Sequence, residues 1–243
     1  MNVYLLENRG NQIIMHWFVF VVAGLRDIPK GSNFHTVITE DFQRETLKLL
    51  EPDYHYVEPK EGDIIIKHHG APLVGSFYVA DPYYGFVREQ ILIKNQLENS
   101  APPTRLLYIS RSQAHTLAWR KAFKQTRLVA LVNENDVLDA LRPLGFECIH
   151  LEDYSLVDKI KLFQEAKVIV GPSGGGFTMG FFANPKSHVI ELRADGADQY
   201  HQVCKVLGIP ITRYSNVRTT DFETHNIIVP DIPDLVRVCK TYV

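Results

Sequence analysis

The sequence predicts an α/β fold in two parts, each a parallel sheet covered by helices, with the two parts facing a cleft. Three observations predict it. Strand-like and helix-like apolar runs alternate almost throughout the 243 residues, which is the pattern of parallel sheets covered on both faces. A polar, proline-bearing segment, Asn99-Ser-Ala-Pro-Pro-Thr104, interrupts the alternation, and the pattern restarts after it. An apolar run, Val168–Val170, breaks into the turn Gly171-Pro-Ser-Gly-Gly-Gly176 just before a helix-like stretch from Phe177.

The elements follow in order. Asn2–Leu6 reads as a strand, Glu7–Gln12 as a loop, and the following apolar run as a helix to about Arg26. Phe34–Ile38 reads as a strand and Asp41–Leu50 as a helix. Asp63-Ile-Ile-Ile-Lys67 reads as a buried strand and Tyr84–Leu97 as a helix. After the linker come a strand at Arg105–Ser110, a helix at Glu134–Leu141, a strand at Glu147–Leu151 and a helix at Leu156–Ala166. The Val168 strand, the glycine turn with its helix, the Val189 strand, a helix at Gln199–Leu207 and a short strand at Ile211 complete the second sheet. The tail reads as a short strand from Ile227 and a final helix within Asp231–Val243, expected to pack back on the N-terminal domain. The expected division is therefore 1–98, 105–214 and a tail at 215–243. No internal repeat or low-complexity segment is present.

Composition narrows the class. The chain is 45% hydrophobic and 22% charged, as an ordinary globular protein is. Its net charge of −2 argues against a nucleic-acid partner, which calls for a basic excess. Cys148, Cys204 and Cys239 are few and widely spaced, which suggests reduced thiols and a cytoplasmic setting. No signal-peptide pattern opens the sequence. The apolar run Ile13–Leu25 contains His16 and falls short of the ~20 residues needed to span a bilayer, so no membrane span is expected.

The glycine turn carries the most chemistry. A strand, a glycine-rich turn and a helix N-terminus bring backbone N–H groups and the helix dipole together, and glycine lets an anion approach the main chain. Ser187-His-Val-Ile-Glu-Leu192 is a second strand one βα unit later, and Glu191 near its end is placed to hold ribose hydroxyls; the plainer alternative is a strand-end acid paired with Arg193. Arg111 follows the strand of Leu107-Tyr-Ile-Ser110 and so lies at the same sheet edge as the turn. A guanidinium there can clamp a diphosphate; the plainer alternative is a surface arginine paired with Glu134 or Asp136.

The same turn also fits G-x-S-x-G. That leaves open a serine hydrolase using Ser173 with His201 or His225 and Asp195 or Asp198. No metal is expected, because the sequence has no Asp-x-Asp, Cys-x-x-Cys or His-Glu-x-x-His, and the adjacent His68 and His69 would point to opposite strand faces. In the first half, His16 stands near the start of the first helix, where a neutral imidazole suits a general base. A core histidine is the alternative. Asp81, in Ala80-Asp-Pro-Tyr-Tyr-Gly85, suits orienting His16 or binding acceptor hydroxyls, with Tyr83 and Tyr84 available to stack on a sugar; a simple Asp-Pro turn is the alternative. His35, Asp27 and Asp81 compete with His16 as the base.

A series of segments together resembles glycosyltransferase family 61. The series runs Leu107-Tyr-Ile-Ser-Arg111, Asn133-Glu134, Leu141 to Gly145-Phe146, Asp153-Tyr-Ser-Leu156, Lys159-Ile160, Leu162-Phe163, Ala166-Lys-Val-Ile-Val-Gly-Pro-Ser-Gly-Gly-Gly-Phe-Thr178 and Val189-Ile-Glu-Leu192. It covers residues 105–193, and Met15-His-Trp17 is similar to the family's His-Trp segment. The resemblance implies two Rossmann-like domains in a GT-B-like arrangement. It implies inverting, metal-independent transfer of a sugar from a nucleotide sugar, usually a UDP-sugar, to an oligosaccharide or glycan acceptor. Xylose is the first sugar expected. No separate cofactor is implied. Arg111, Ser173, Gly174, Gly175, Gly176, Thr178 and Glu191 are then the donor-binding residues, and His16 and Asp81 the catalytic ones. Two positions depart from the family. Ser173 stands where the family turn usually carries histidine, and Phe20 stands where an acid tends to follow His-Trp. These departures keep open a nucleotide-binding module without catalysis. The short chain without an anchor suggests a reduced form acting on the cytosolic side.

Overall fold

The computed structural model describes residues 1–6, 14–68, 73–74, 78–79, 81–112, 130–194, 199–220 and 226–243. The chain divides into two compact units. The first is Met1–Glu98 with Ser155–Ile160, and the second is Asn99–Tyr154 with Lys161–Val243.

The first unit opens with strand β1 (Asn2–Leu6). Helix α1 (Ile14–His16) follows and continues as a π-helical stretch, Trp17–Val22, and a 3-10 turn, Ala23–Asp27. Every residue from Trp17 to Leu25 is buried, so this apolar run is core rather than a surface or membrane segment. Then come β2 (Asn33–His35), α2 (Asp41–Leu50), β3 (His55–Tyr56) and β4 (Ile64–His68). Glu40 caps α2 in a reciprocal box, with the Gln43 side chain accepting the Glu40 amide at 3.0 Å. The short antiparallel pair β5 (Leu73–Val74) and β6 (Tyr78–Val79) precedes α3 (Asp81–Arg88), which runs on as a π-helical turn, Glu89–Ile93.

The four main strands are parallel in the order β3-β2-β1-β4. Strand β4 corrects an expectation. Its run of three isoleucines read as buried, but it is the edge strand, with Ile64 and Ile65 exposed. A run of apolar residues marks a strand covered on both faces only when it lies inside the sheet. The loop expected at Glu7–Gln12 lies outside the described residues, as does His69.

The second unit begins with β7 (Arg105–Ile109), then α4 (Glu134–Leu141), β8 (Phe146–Ile149), α5 (Leu156–Glu165), whose second half lies in this unit, and β9 (Ala166–Pro172). A 3-10 helix, Gly175–Phe182, leads to β10 (His188–Leu192), α6 (Gln199–Val206) and β11 (Ile211–Tyr214). A small antiparallel pair, β12 (Arg218–Thr219) with β13 (Ile227–Ile228), precedes α7 (Ile232–Lys240). The sheet is parallel throughout, in the order β11-β10-β9-β7-β8.

The helix after the glycine turn is 3-10, in keeping with the poor α-helix propensity of its opening glycines. One further expectation is corrected here. The final helix, expected against the N-terminal domain, packs within the second unit. Leu235 and Cys239 join the core formed by Leu106, Val137, Val168 and Ile190, because the helix has one apolar face and that face meets this sheet. Asp231 caps it by accepting the Asp234 amide at 3.0 Å.

Candidate functional site

In chain order the strands of the second sheet run 2-1-3-4-5, so the direction of winding reverses between β7 and β9. At such a reversal the loops leaving the two strands diverge and open a crevice beyond their carboxyl ends, where open α/β sheets bind ligands. The two sequence-predicted anion features flank this point. Arg111 lies two residues past β7, and the Ser173–Gly176 turn follows β9 directly.

The strands come unusually close there. A Cβ on Gly171 would stand 2.5 Å from the Ile109 carbonyl oxygen, so only glycine lets the end of β9 lie against β7. Beyond it, Arg111 Nη1 donates to the Ser173 carbonyl oxygen. The guanidinium crosses the face of Gly174, where a Cβ would overlap it, with Nη1, Cζ and Nε all inside contact range. Glycine is required at 174 by this crossing and not by its dihedral angles, which are extended. Gly174, Gly175 and Gly176 are partly exposed, unlike Phe177–Phe182 behind them. The first amides of a 3-10 helix have no intrahelical acceptor, so those of this helix can meet an anion.

Arg111 is aimed by its surroundings. Glu134, the first residue of α4, accepts the Tyr108 hydroxyl at 3.0 Å, the Ser110 hydroxyl at 3.0 Å and the Arg111 amide at 3.2 Å. Glu134 thus takes the main chain of Arg111 while the guanidinium goes to the turn. Burial lowers the Arg111 pKa from its usual value, opposed by the charges of Tyr200, Glu152 and Glu134. Burial likewise raises Tyr108 well above the ordinary tyrosine value, with Glu134 adding to the effect.

The remaining predicted residues fall into two groups. Ser173, Thr178 and Glu191 lie behind the turn. Glu191 is 0% exposed and accepts the Ser173 hydroxyl at 2.6 Å and Arg193 Nη1 at 3.2 Å. The expectation that Glu191 holds ribose hydroxyls is corrected: its side chain points into the protein from strand β10 and has no open face. Thr178 is 0% exposed, beside Tyr200, so it too supports the turn from within. Ser173 is 8% exposed and its hydroxyl lies between an acid and an arginine, with no histidine among its described partners. Among the described residues no histidine is placed to activate this hydroxyl as a nucleophile. His225, Asp195 and Asp198, the other candidates for such a triad, lie outside the described residues.

The second group is in the first unit. His16 is half-buried, with its ring edge-on to Phe20 at 5.5 Å. Asp81 is the first residue of α3 rather than part of a loop. Tyr83 and Tyr84 are 7% and 0% exposed, and the Tyr83 hydroxyl donates to Asp27 at 2.7 Å, so neither offers a stacking face. His35 ends β2 at the carboxyl edge of its sheet, with Nδ1 3.1 Å from the Val57 carbonyl and 3.4 Å from Glu58.

Comparison with known proteins bears on this site. The family model for glycosyltransferase 61 matches residues 15–190, well over half of the chain. The chain belongs to the glycosyltransferase 61 family. No curated protein matches the sequence. Among solved structures, the dodecameric iron-containing heptosyltransferase TibC in complex with ADP-D-beta-D-heptose aligns at 13% identity and a TM-score of 0.41, over 82% of this chain and 60% of its own. A dipicolinate synthase component from Bacillus halodurans aligns at 12% identity and a TM-score of 0.25, over 86% of this chain and 65% of its own. This glycosyltransferase 61 chain thus spans less than two thirds of either structure, and neither likeness is close enough to bear on mechanism.

The family match includes both the His16 segment and the glycine turn. Among the described residues no group of three or more His, Cys, Asp or Glu side chains is arranged to hold a metal ion. No described helix is long and apolar enough to cross a membrane. Around the turn of this family member, Glu134 was expected only as a partner of Arg111 in the plainer alternative, Arg193 only as a partner of Glu191 in the alternative to ribose binding, and Tyr200 not at all. Glu134 had a signal, an acid opening a helix one βα unit after Arg111. The pairing of Arg193 with Glu191 is found, at 3.2 Å, whereas Tyr200 had no signal in the sequence.

Proposed function

We propose that this glycosyltransferase 61 protein transfers a sugar from a nucleotide sugar to a glycan hydroxyl, binding the donor diphosphate at the carboxyl edge of β7 and β9. One observation carries the reading. Arg111 and the N-terminal amides of the Gly175–Phe182 helix converge on one partly exposed turn at the topological switch point.

In this mechanism the acceptor hydroxyl loses its proton to a base and attacks the anomeric carbon, inverting it. The bond from that carbon to the diphosphate oxygen breaks, and the new negative charge on the leaving diphosphate is taken up by Arg111 and the turn amides. His16 is the base named by this reading, with Asp81 on the acceptor side. UDP-xylose is the first donor to try, on the strength of the family. Metal independence is part of the proposal and is supported by the site's donor set, a guanidinium and backbone amides, which suits an anion and not a cation. A GT-B arrangement of the two units belongs to the same proposal and rests on the family alone.

The test is hydrolysis of UDP-sugars without acceptor, followed by UDP release, with and without EDTA. Slow release that survives EDTA and falls in Arg111→Ala is the expected result. Binding of a UDP-sugar without any release points instead to a non-catalytic binding module. Absence of both binding and release for UDP-, GDP-, ADP- and dTDP-sugars overturns the proposal.

A further inference from the structure

The turn that faces the proposed diphosphate has a buried acid directly behind it. Ser173 links the two sides. Its carbonyl oxygen accepts Arg111 Nη1, while its hydroxyl donates to Glu191 Oε1 at 2.6 Å and accepts from Arg193 Nη1 at 2.8 Å. Arg193 Nη1 is itself 3.2 Å from Glu191 Oε1, with side-chain exposures of 11% and 0%. Glu191 Oε2 is buried and has no hydrogen-bond partner among the described residues. A carboxylate in this position repels an anion at the turn unless a cation sits against it, because charge interactions reach further in a poorly hydrated interior than in water.

The backbone explains why Arg193 is that cation. Arg193 is the residue after β10, and β10 pairs with β9 so that Glu191 lies opposite Gly171 and Leu192 opposite Pro172. The side chain of Arg193 therefore starts level with Ser173, whose amide donates to the Leu192 carbonyl at 3.0 Å. Arg111 reaches the same residue from β7 on the other side. A histidine in place of Ser173 would not give the small hydroxyl that bonds Glu191 and Arg193 at once.

We propose that Arg193 is a positioning residue that masks the charge of Glu191, and that the Glu191–Ser173–Arg193 link is what lets this turn accept a diphosphate. The inference rests on the donor-site reading above. It does not require Arg193 to touch the ligand.

The experiment compares wild type, Arg193→Ala, Arg193→Ala/Glu191→Gln and Arg193→Lys in two measurements: thermal unfolding without ligand, and calorimetric titration with UDP. Arg193→Ala leaves a buried carboxylate uncompensated, so its Tm falls by about 5–15 °C and its UDP affinity by about 10- to 100-fold. The double variant removes the charge that needed masking, so it regains most of the lost Tm and most of the UDP affinity. Arg193→Lys keeps a cation in place and stays closer to wild type than Arg193→Ala in both. A double variant as unstable as Arg193→Ala overturns the inference. So does one that regains its Tm but remains as weak for UDP as Arg193→Ala, since Arg193 would then act on the ligand itself. Failure of the donor reading looks different: wild type binds no UDP, and the unfolding comparison still decides whether Arg193 masks Glu191. If Arg193→Ala does not fold, recovery of a folded protein in the double variant supports the masking role, and its absence refutes it.

Discussion

Gly174→Ala isolates the contribution of Arg111 without touching it. The backbone at 174 is extended, so alanine adds no dihedral strain. Its Cβ would instead overlap the Arg111 guanidinium, forcing that group off the Ser173 carbonyl and away from the turn. A hydrogen bond to a charged group contributes roughly 1.5–3 kcal/mol. The lower entropy of the unfolded chain with alanine returns about 0.4–1 kcal/mol to stability. The net loss of stability is therefore about 0.5–2.6 kcal/mol, or roughly 1–10 °C in Tm, while the anion site loses its aimed cation. A loss of about 2–3 kcal/mol in diphosphate affinity corresponds to roughly 30- to 150-fold. Calorimetric titration with UDP of wild type, Gly174→Ala, Arg111→Ala and the double variant measures this. The two single changes act through one group, so the double is expected to be no weaker than Arg111→Ala alone. Additive losses, or wild-type affinity in Gly174→Ala, would refute the crossing of Arg111 over Gly174 as the basis of the site.

Three further outcomes are expected. Gly171→Ala places a Cβ 2.5 Å from the Ile109 carbonyl, a backbone atom that cannot swing away. It should cost about 1–3 kcal/mol and lower Tm by about 2–12 °C, and an unchanged Tm would mean the β7–β9 contact yields freely. Burial pushes the Cys204 and Cys239 thiols up to about 12, whereas Cys148 is exposed. A thiol reagent at pH 8 should therefore count one fast cysteine in the native protein and three in denaturant, and a second fast thiol would contradict the packing of α6 or α7. His16→Ala should lower transfer by ~10²–10⁴ with UDP affinity nearly unchanged. Near-normal transfer would move the base to a competitor such as His35, where Nδ1 faces Val57 and Glu58 and leaves Nε2 as the proton acceptor.

Much of this was legible in the sequence, for physical reasons that can be named. Strand–turn–helix alternation marks parallel sheets, so every strand of the second parallel sheet and three of the four in the first were identified, while the two-residue strands β3, β5, β6 and β12 were not. The turn at Ser173–Gly176 was visible because glycine runs are costly unless a close approach requires them. Arg111 was visible because residues just past a parallel strand lie at the binding edge. What escaped depends on pairing. The exposure of Ile64 and Ile65 follows from β4 lying at a sheet edge, which no local pattern encodes. Glu191 read as a ribose ligand because it is an acid near a strand end, but its register opposite Gly171 turns it inward. The pairing of Glu191 with Arg193 was legible as the alternative to ribose binding, but the link of both to Ser173 depends on that register. Asp81-Pro82 suits a turn ahead of the helix expected from Tyr84, yet proline is well tolerated in a first helical turn, and the helix starts at Asp81.

The central claim is that a nucleotide diphosphate binds at the turn through Arg111. A thermal-shift panel of UDP-, GDP-, ADP- and dTDP-sugars on wild type and Arg111→Ala tests it most directly, since a ligand raises Tm only where it binds the folded state. The account predicts that at least one nucleotide sugar raises the wild-type Tm and that the same concentration gives little or no shift in Arg111→Ala. Equal shifts in both proteins, or no shift with any nucleotide, would contradict it.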